Sequence, residues 1–221
     1  MSSREDILGR VRARLHRNET NAAVARADIE VALSARAQGP RPAVPTEKSA
    51  LAGRLIEKSL VQSSTVESVA TLADAPAAIA RYLAGLNLGL SAAAIWPSLA
   101  ALDWSGAGIN VMARGAEDGD LVGITGCFCA IAETGTLMLC SAPDHPATVS
   151  LLPETHIAIV SASRIVPCME EAWALARSEV GTLPRAVNFI SGPSRTGDIE
   201  QTIVLGAHGP YRVHLIIVEN A

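Results

Sequence analysis

Three short stretches of this chain hold residue types that could do chemistry. The first is Ser191-Gly192-Pro193-Ser194-Arg195-Thr196-Gly197-Asp198-Ile199-Glu200, which follows the apolar run 186–190 and leads into a short polar segment that can be helical. Free N–H groups at a helix start attract anions, and open α/β sheets gather ligands at the carboxyl ends of their strands. On that reading Ser191, Gly192, Ser194, Arg195 and Thr196 line an anion-binding loop at the start of a helix. The field of the helix end would supply about 0.3–1 kcal/mol. A charge-assisted bond from Arg195 would add about 1.5–3 kcal/mol, so Arg195 would dominate the affinity while the backbone set the geometry. The alternative is a plain turn, with Ser194 or Thr196 capping the helix and Arg195 paired to Asp198.

The second stretch is Ile131-Ala-Glu-Thr-Gly-Thr136. An ionised Glu133 inside an apolar run is costly unless it is paired, and a raised pKa there would suit a general acid or base. Simple alternation along a strand, turning Glu133 to solvent or to the following threonines, is the other reading. The third is Gly206-Ala-His-Gly-Pro210, where His208 sits in a loop and could titrate near neutrality; a lone loop histidine is as readily structural. The four cysteines include Cys127-Phe-Cys129, a C-x-C pair. Neither zinc nor iron–sulfur spacings are present and the histidines form no ligand pattern, so no metal is expected and the thiols read as small buried hydrophobes.

These residues need a scaffold, and the apolar pattern supplies one. Strand-like runs at 65–71, 92–96, 109–113, 130–133, 136–140, 156–160, 186–190 and 213–218 alternate with helical patterns at 46–61, 74–86 and from Pro167 onward. Strands alternating with helices predict an α/β domain with a mostly parallel sheet flanked by helices on both faces, with 130–133 and 136–140 forming a hairpin. Before it, Ser2 and Glu5 have capping-box spacing, and Ile7, Val11 and Leu15 lie along one face of a short helix rich in arginine. A weakly patterned alanine-rich stretch and the run Gly39-Pro-Arg-Pro-Ala-Val-Pro45 follow. Residues 1–45 thus read as a helical arm with a stiff linker, and 46–221 as the α/β domain. Such an arm can dock on a partner subunit, including a second copy in a homo-oligomer, or can be a partly disordered leader.

Composition narrows the function classes. Apolar residues are 49% of the 221 and charged residues 18%, which allows a large core, whereas aromatics are only 3% and the net charge is −4. Few stacking groups and no excess of positive charge argue against nucleic acid. No apolar run is long enough for a membrane span, and the N-terminus lacks a signal-peptide pattern, so a cytoplasmic protein with reduced thiols is expected.

Taken together, Gly123-Ile-Thr125, Ala130-Ile-Ala-Glu-Thr-Gly-Thr136, Ser150-Leu-Leu-Pro-Glu-Thr-His-Ile157, Gly192-Pro-Ser-Arg-Thr196 and Ile199-Glu…Leu205-Gly-Ala-His-Gly-Pro210 resemble the LUD domain of the lactate-utilization protein C family. The resemblance covers about residues 65–221 with five motifs in order. It implies a fold like that of ribose-5-phosphate isomerase, glucosamine-6-phosphate deaminase and CoA transferases. It also implies a non-redox subunit of a system oxidising L-lactate to pyruvate, with iron–sulfur clusters carried by partner subunits and no cofactor in this chain. The other reading is a free-standing isomerase- or CoA-transferase-like enzyme acting on a phosphorylated or carboxylated metabolite. The candidate set is Glu133 and His208 for catalysis, with Thr125, Thr134, Gly135, Thr136, Ser191, Gly192, Ser194, Arg195 and Thr196 for a small anionic metabolite. Two departures from the family pattern stand out. Gly197 replaces the usual alanine and would loosen a following helix. Cys127 and Cys129 occupy positions usually held by small or acidic residues, removing a carboxylate from the neighbourhood of Glu133.

Overall fold

The computed structural model describes residues 3–220 except 38, 87, 89–91 and 200–201. The chain divides into two units, Met1–Ala43 and Val44–Ala221. The first contains α1 (Ser3–Arg14) and α2 (Glu19–Ala35). The expected cap at Ser2 lies outside the described residues. The weakly patterned alanine-rich stretch is the helix α2. Alanine has the highest helix propensity, and Asn18 and Asn21 cap the start reciprocally, with backbone-to-side-chain bonds of 2.9 and 3.0 Å. Ile7, Val11 and Leu15 are all substantially exposed.

The second unit runs α3 (Lys48–Val61), β1 (Thr65–Val69), α4 (Ala75–Gly85), β2 (Ala93–Ile95), β3 (Val111–Ala113), β4 (Val122–Thr125), β5 (Cys129–Ile131), β6 (Thr136–Cys140), α5 (Thr148–Leu151), β7 (Thr155–Ser161), β8 (Ile165–Val166), α6 (Met169–Glu179), β9 (Val187–Ile190), β10 (Arg195–Ile199), β11 (Thr202–Leu205) and β12 (Arg212–Val218). Six strands form the central sheet in the order β1-β12-β7-β4-β2-β3, every pair parallel. The expected α/β class with a mostly parallel sheet holds. Strands β7 and β12 are buried on both faces, which is why they are near-continuous apolar runs.

Period-2 alternation divides the central sheet between two cores. Ile157, Ile159, Ile216 and Val218 face α4, meeting Ala75, Ala78, Ile79 and Leu83. Ala158, Val160, Val213, Leu215 and Ile217 face the other way, onto Leu51 and Leu55 of α3 and onto Leu137, Leu139 and Ile190. Those last three belong to a second sheet, β8-β5-β6-β9, whose far face packs on Ala172 and Ala176 of α6. The expected hairpin is present as β5–β6, antiparallel with Cys129 opposite Met138. The second sheet was not anticipated. It replaces helices over much of one face, because a short antiparallel pair needs only a tight turn whereas a parallel neighbour needs a long crossover.

The segment after Arg195 departs from expectation in kind. It is a strand of the hairpin β10–β11, with Arg195 opposite Leu205 and Thr196 opposite Val204. Thr196, Ile199, Thr202, Ile203 and Val204 are β-branched, and Gly197 is a poor helix former, so local propensity opposes the helix. Glu200 lies outside the described residues.

Candidate functional site

The expected loop sits at the opposite end of the central sheet from the one the carboxyl-end rule suggests. Strand β9 belongs to the second sheet, so its carboxyl end delivers Ser191 to the place where the central strands begin. Ser194 N–H donates to the carbonyl of Pro210, just before β12, and Gly206 N–H donates to the carbonyl of Ser194 at 3.0 Å. Arg195 reaches the residues just before β1. Its guanidinium donates to the Gln62 carbonyl at 3.3 Å and to the Ser63 hydroxyl.

Four stretches distant in sequence meet there around the last turn of α3. Thr134 and Thr136 hydroxyls lie 2.7 Å apart, and the Thr136 and Ser191 hydroxyls 2.6 Å apart. The Gln62 side-chain amide donates to the Thr134 carbonyl at 3.4 Å. Two glycines make the approach possible. Gly135 has φ +70° and Gly192 φ +81°; an added Cβ would stand 2.8 Å from the Lys58 and Ser59 backbone at Gly135 and 2.4 Å from the Gln62 carbonyl oxygen at Gly192. Both positions need a residue without a side chain, for conformation and for space.

The electrostatics are the reverse of the sequence-based expectation. Among the described residues the loop leads into strand β10, so it does not open a helix that could hold an anion. Arg195 instead lies over the carbonyl end of α3, where the negative end of the helix dipole favours a cation. The alternative partner, the Asp198 side chain, lies outside the described residues. Arg195 is exposed, and its described bonds use one of its three guanidinium nitrogens.

The remaining expected residues divide sharply. Glu133 is a half-buried turn residue rather than a strand residue, and its N–H donates to the Pro167 carbonyl at 3.0 Å. His208 is exposed in the turn that Pro210 ties to Ser194. Among the described residues no hydrogen bond joins Glu133 to His208 or Arg195. Thr125 is fully buried and its hydroxyl meets His156 Nε2 at 2.8 Å, inside the sheet rather than in a site. Thr196 is also buried. Burial pushes His156 down to about 4 and the Cys129 thiol up to about 12. Among the described residues, Cys168, Glu170 and Glu171 bring three potential ligand atoms within 4.8 Å of one another. The Cys168 thiol lies within hydrogen-bond reach of both carboxylates, which share its single proton.

Sequence reasoning passed over a crevice at the other end of the sheet, bordered by Trp96, Gly126, Phe128, His145, Arg164 and Glu179. A usable signal was present: Trp96 directly follows the apolar run of β2, and Gly126 directly follows β4, placing both at strand carboxyl ends.

An all-parallel central sheet, a second mixed sheet and glycine-led loops packed on a helix end define an α/β domain whose motif loops meet at the end of α3. The LUD domain profile matches residues 100–218, and the chain belongs to that family. Lactate utilization protein C of Bacillus subtilis (strain 168) is 39% identical over 135 residues, covering 56% of this chain and 56% of that protein. Its namesake from Bacillus licheniformis is 38% identical over 121 residues, covering 53% and 50%. The chain thus matches about half the length of these relatives. The crystal structure of a DUF162 family protein from Deinococcus radiodurans superposes with a TM-score of 0.60 at 26% identity, covering 79% of this chain and 99% of that one. Among the described residues no helix is long and apolar enough to cross a membrane.

Proposed function

We propose that this chain is a non-redox component of a lactate utilization system, and that it engages a carboxylate or a partner subunit through the surface of Thr134, Ser191 and Arg195. The observation that carries the reading is the family match, with relatives named lactate utilization protein C on the same region. The geometry adds support. Thr134, Ser191 and Arg195 are exposed near one another at the end of α3, where Arg195 offers a cation on a surface fixed by glycine contacts. The oxidation of lactate to pyruvate releases two electrons. On this reading they pass to iron–sulfur clusters in partner subunits, since the C-x-C pair of this chain lacks cluster spacing. The free-standing enzyme reading has less support, because the relatives matched over this region are named for lactate utilization.

Anaerobic, low-salt co-purification with the tagged chain tests the proposal. Retention of an iron-containing partner, lost on Arg195→Ala while the fold is kept, is the expected result. Recovery of the chain alone, or unchanged retention by Arg195→Ala, refutes the role given to this surface.

A further inference from the structure

The central sheet contains a point where its connections diverge. Strands β2 and β4 are neighbours, with Ala94 opposite Gly123 and Ile95 opposite Ile124. From β2 the chain goes outward to the edge strand β3. From β4 it goes the other way, through the second sheet and on to β7. Connections that leave in opposite directions open a crevice beyond the carboxyl ends, and such crevices are where open parallel sheets bind ligands. A cavity of about 270 Å³ lies there.

Its walls are ordered and its cation is aimed. The Trp96 indole stacks on His145 with centroids 4.3 Å apart and donates its N–H to the Pro146 carbonyl at 3.1 Å. At Gly126 an added Cβ would come within 3.4 Å of Trp96, so the missing side chain keeps the floor open. Arg164 donates its Nε–H to the Phe128 carbonyl at 2.9 Å and lies 4.8 Å from the centre of the Phe128 ring. Its two terminal nitrogens each hold a Glu179 carboxylate oxygen at 2.8 Å. The fork is therefore set for a bidentate carboxylate. The carboxylate now on it is exchangeable: its two bonds to Arg164 hold it below the usual carboxylate range, but Glu179 is the last residue of α6, where the helix dipole disfavours negative charge, and its side chain is 43% exposed.

We propose that this crevice binds a small monocarboxylate, whose carboxylate displaces Glu179 from Arg164 and whose short alkyl end rests against Trp96. The volume corresponds to about nine waters at roughly 30 Å³ each, enough for a three- to five-carbon acid. The choice of lactate as first probe rests on the function proposed above; the ligand class rests on Arg164 and the cavity.

The full chain has three tryptophans, so the Trp96 indole N–H can be followed by NMR and assigned with Trp96→Phe. Lactate and acetate should each shift it saturably, while lactamide, which lacks the carboxylate, should not. Glu179→Gln removes the competing carboxylate and should tighten binding by about two- to fivefold, the range set by an exposed ion pair. Arg164→Gln should weaken it by about tenfold or more. Equal response to lactamide, or unchanged or weaker binding in Glu179→Gln, overturns the proposal. So does loss in Arg195→Ala with binding kept in Arg164→Gln. If Arg164→Gln does not fold, the exposed Glu179→Gln carries the test. Acetate and lactate bound alike, with no iron-containing partner retained, would keep the crevice and remove the lactate system.

Discussion

Replacing Gly135 by alanine tests whether the motif loops act as a clamp on α3. Two costs add at this position. The backbone has φ +70°, which costs a residue with a Cβ about 1–2 kcal/mol. The new methyl would also stand 2.8 Å from the backbone of Lys58 and Ser59, atoms inside a helix that cannot swing aside as a side chain could. Overpacking of that kind costs about 1–3 kcal/mol. Gly181 separates the two terms, because it has φ +71° with nothing within 4 Å of an added Cβ. Gly181→Ala should therefore show the conformational cost alone, and Gly135→Ala should exceed it by about 1–3 kcal/mol. With a urea slope of about 1–3 kcal/mol per molar, the two midpoints should differ on the order of 1 M, and thermal midpoints by several degrees. Equilibrium unfolding followed by far-UV circular dichroism measures both. Equal midpoints would mean that the loop does not press on α3, and the clamp would be wrong.

Three further outcomes follow from the same structure. His156 and His214 are buried with one ring nitrogen each lacking a hydrogen-bond partner among the described residues, and burial pushes both from the ordinary 6.5 down to about 4. Below about pH 6.5 the unfolded chain binds protons that the folded one refuses. Stability should thus be fully present above that value and fall as pH drops toward 4, by roughly 3 kcal/mol per histidine at the lower end; a urea midpoint that stays flat from neutrality to about pH 5 would refute this. Burial raises the thiols of Cys127 and Cys129, so both should alkylate far more slowly in the native protein than in urea, as read by mass spectrometry at neutral pH; equal rates would show that the site opens readily. Arg195→Ala should lower stability by less than about 1 kcal/mol, since it removes only an exposed interaction with the end of α3, and a larger loss by thermal melting would mark Arg195 as a structural keystone.

The strands of the central sheet were legible because burial on both faces leaves apolar runs such as 156–160 and 213–218, which the structure extends by only a residue at some ends. Helices α3, α4 and α6 were legible from apolar spacing, and α4 also from Asp74 and Pro76. Helix α2 was missed because its signal lies in alanine propensity and an Asn18–Asn21 cap rather than in an apolar stripe. The helix after Arg195 was misjudged because polarity was weighed above the β-branched residues at 196, 199 and 202–204.

The candidate site divides along the same line. Residue types alone determined that Gly135, Gly192 and Arg195 belong to special loops, since glycine and a lone cation among small polar residues constrain what the backbone can do. They also determined the α/β class and the family. Only the tertiary structure decided what those loops touch, because Gln62, Thr134 and Arg195 are far apart in the chain and meet through the second sheet. That sheet turns β9 so that its carboxyl end lies where the central strands begin, and it sends the chain from β4 away from β2. The first effect places Arg195 on a helix carbonyl end instead of an anion; the second opens the crevice beside Arg164. Both depend on which strands pair across long sequence separations, which local residue patterns do not encode.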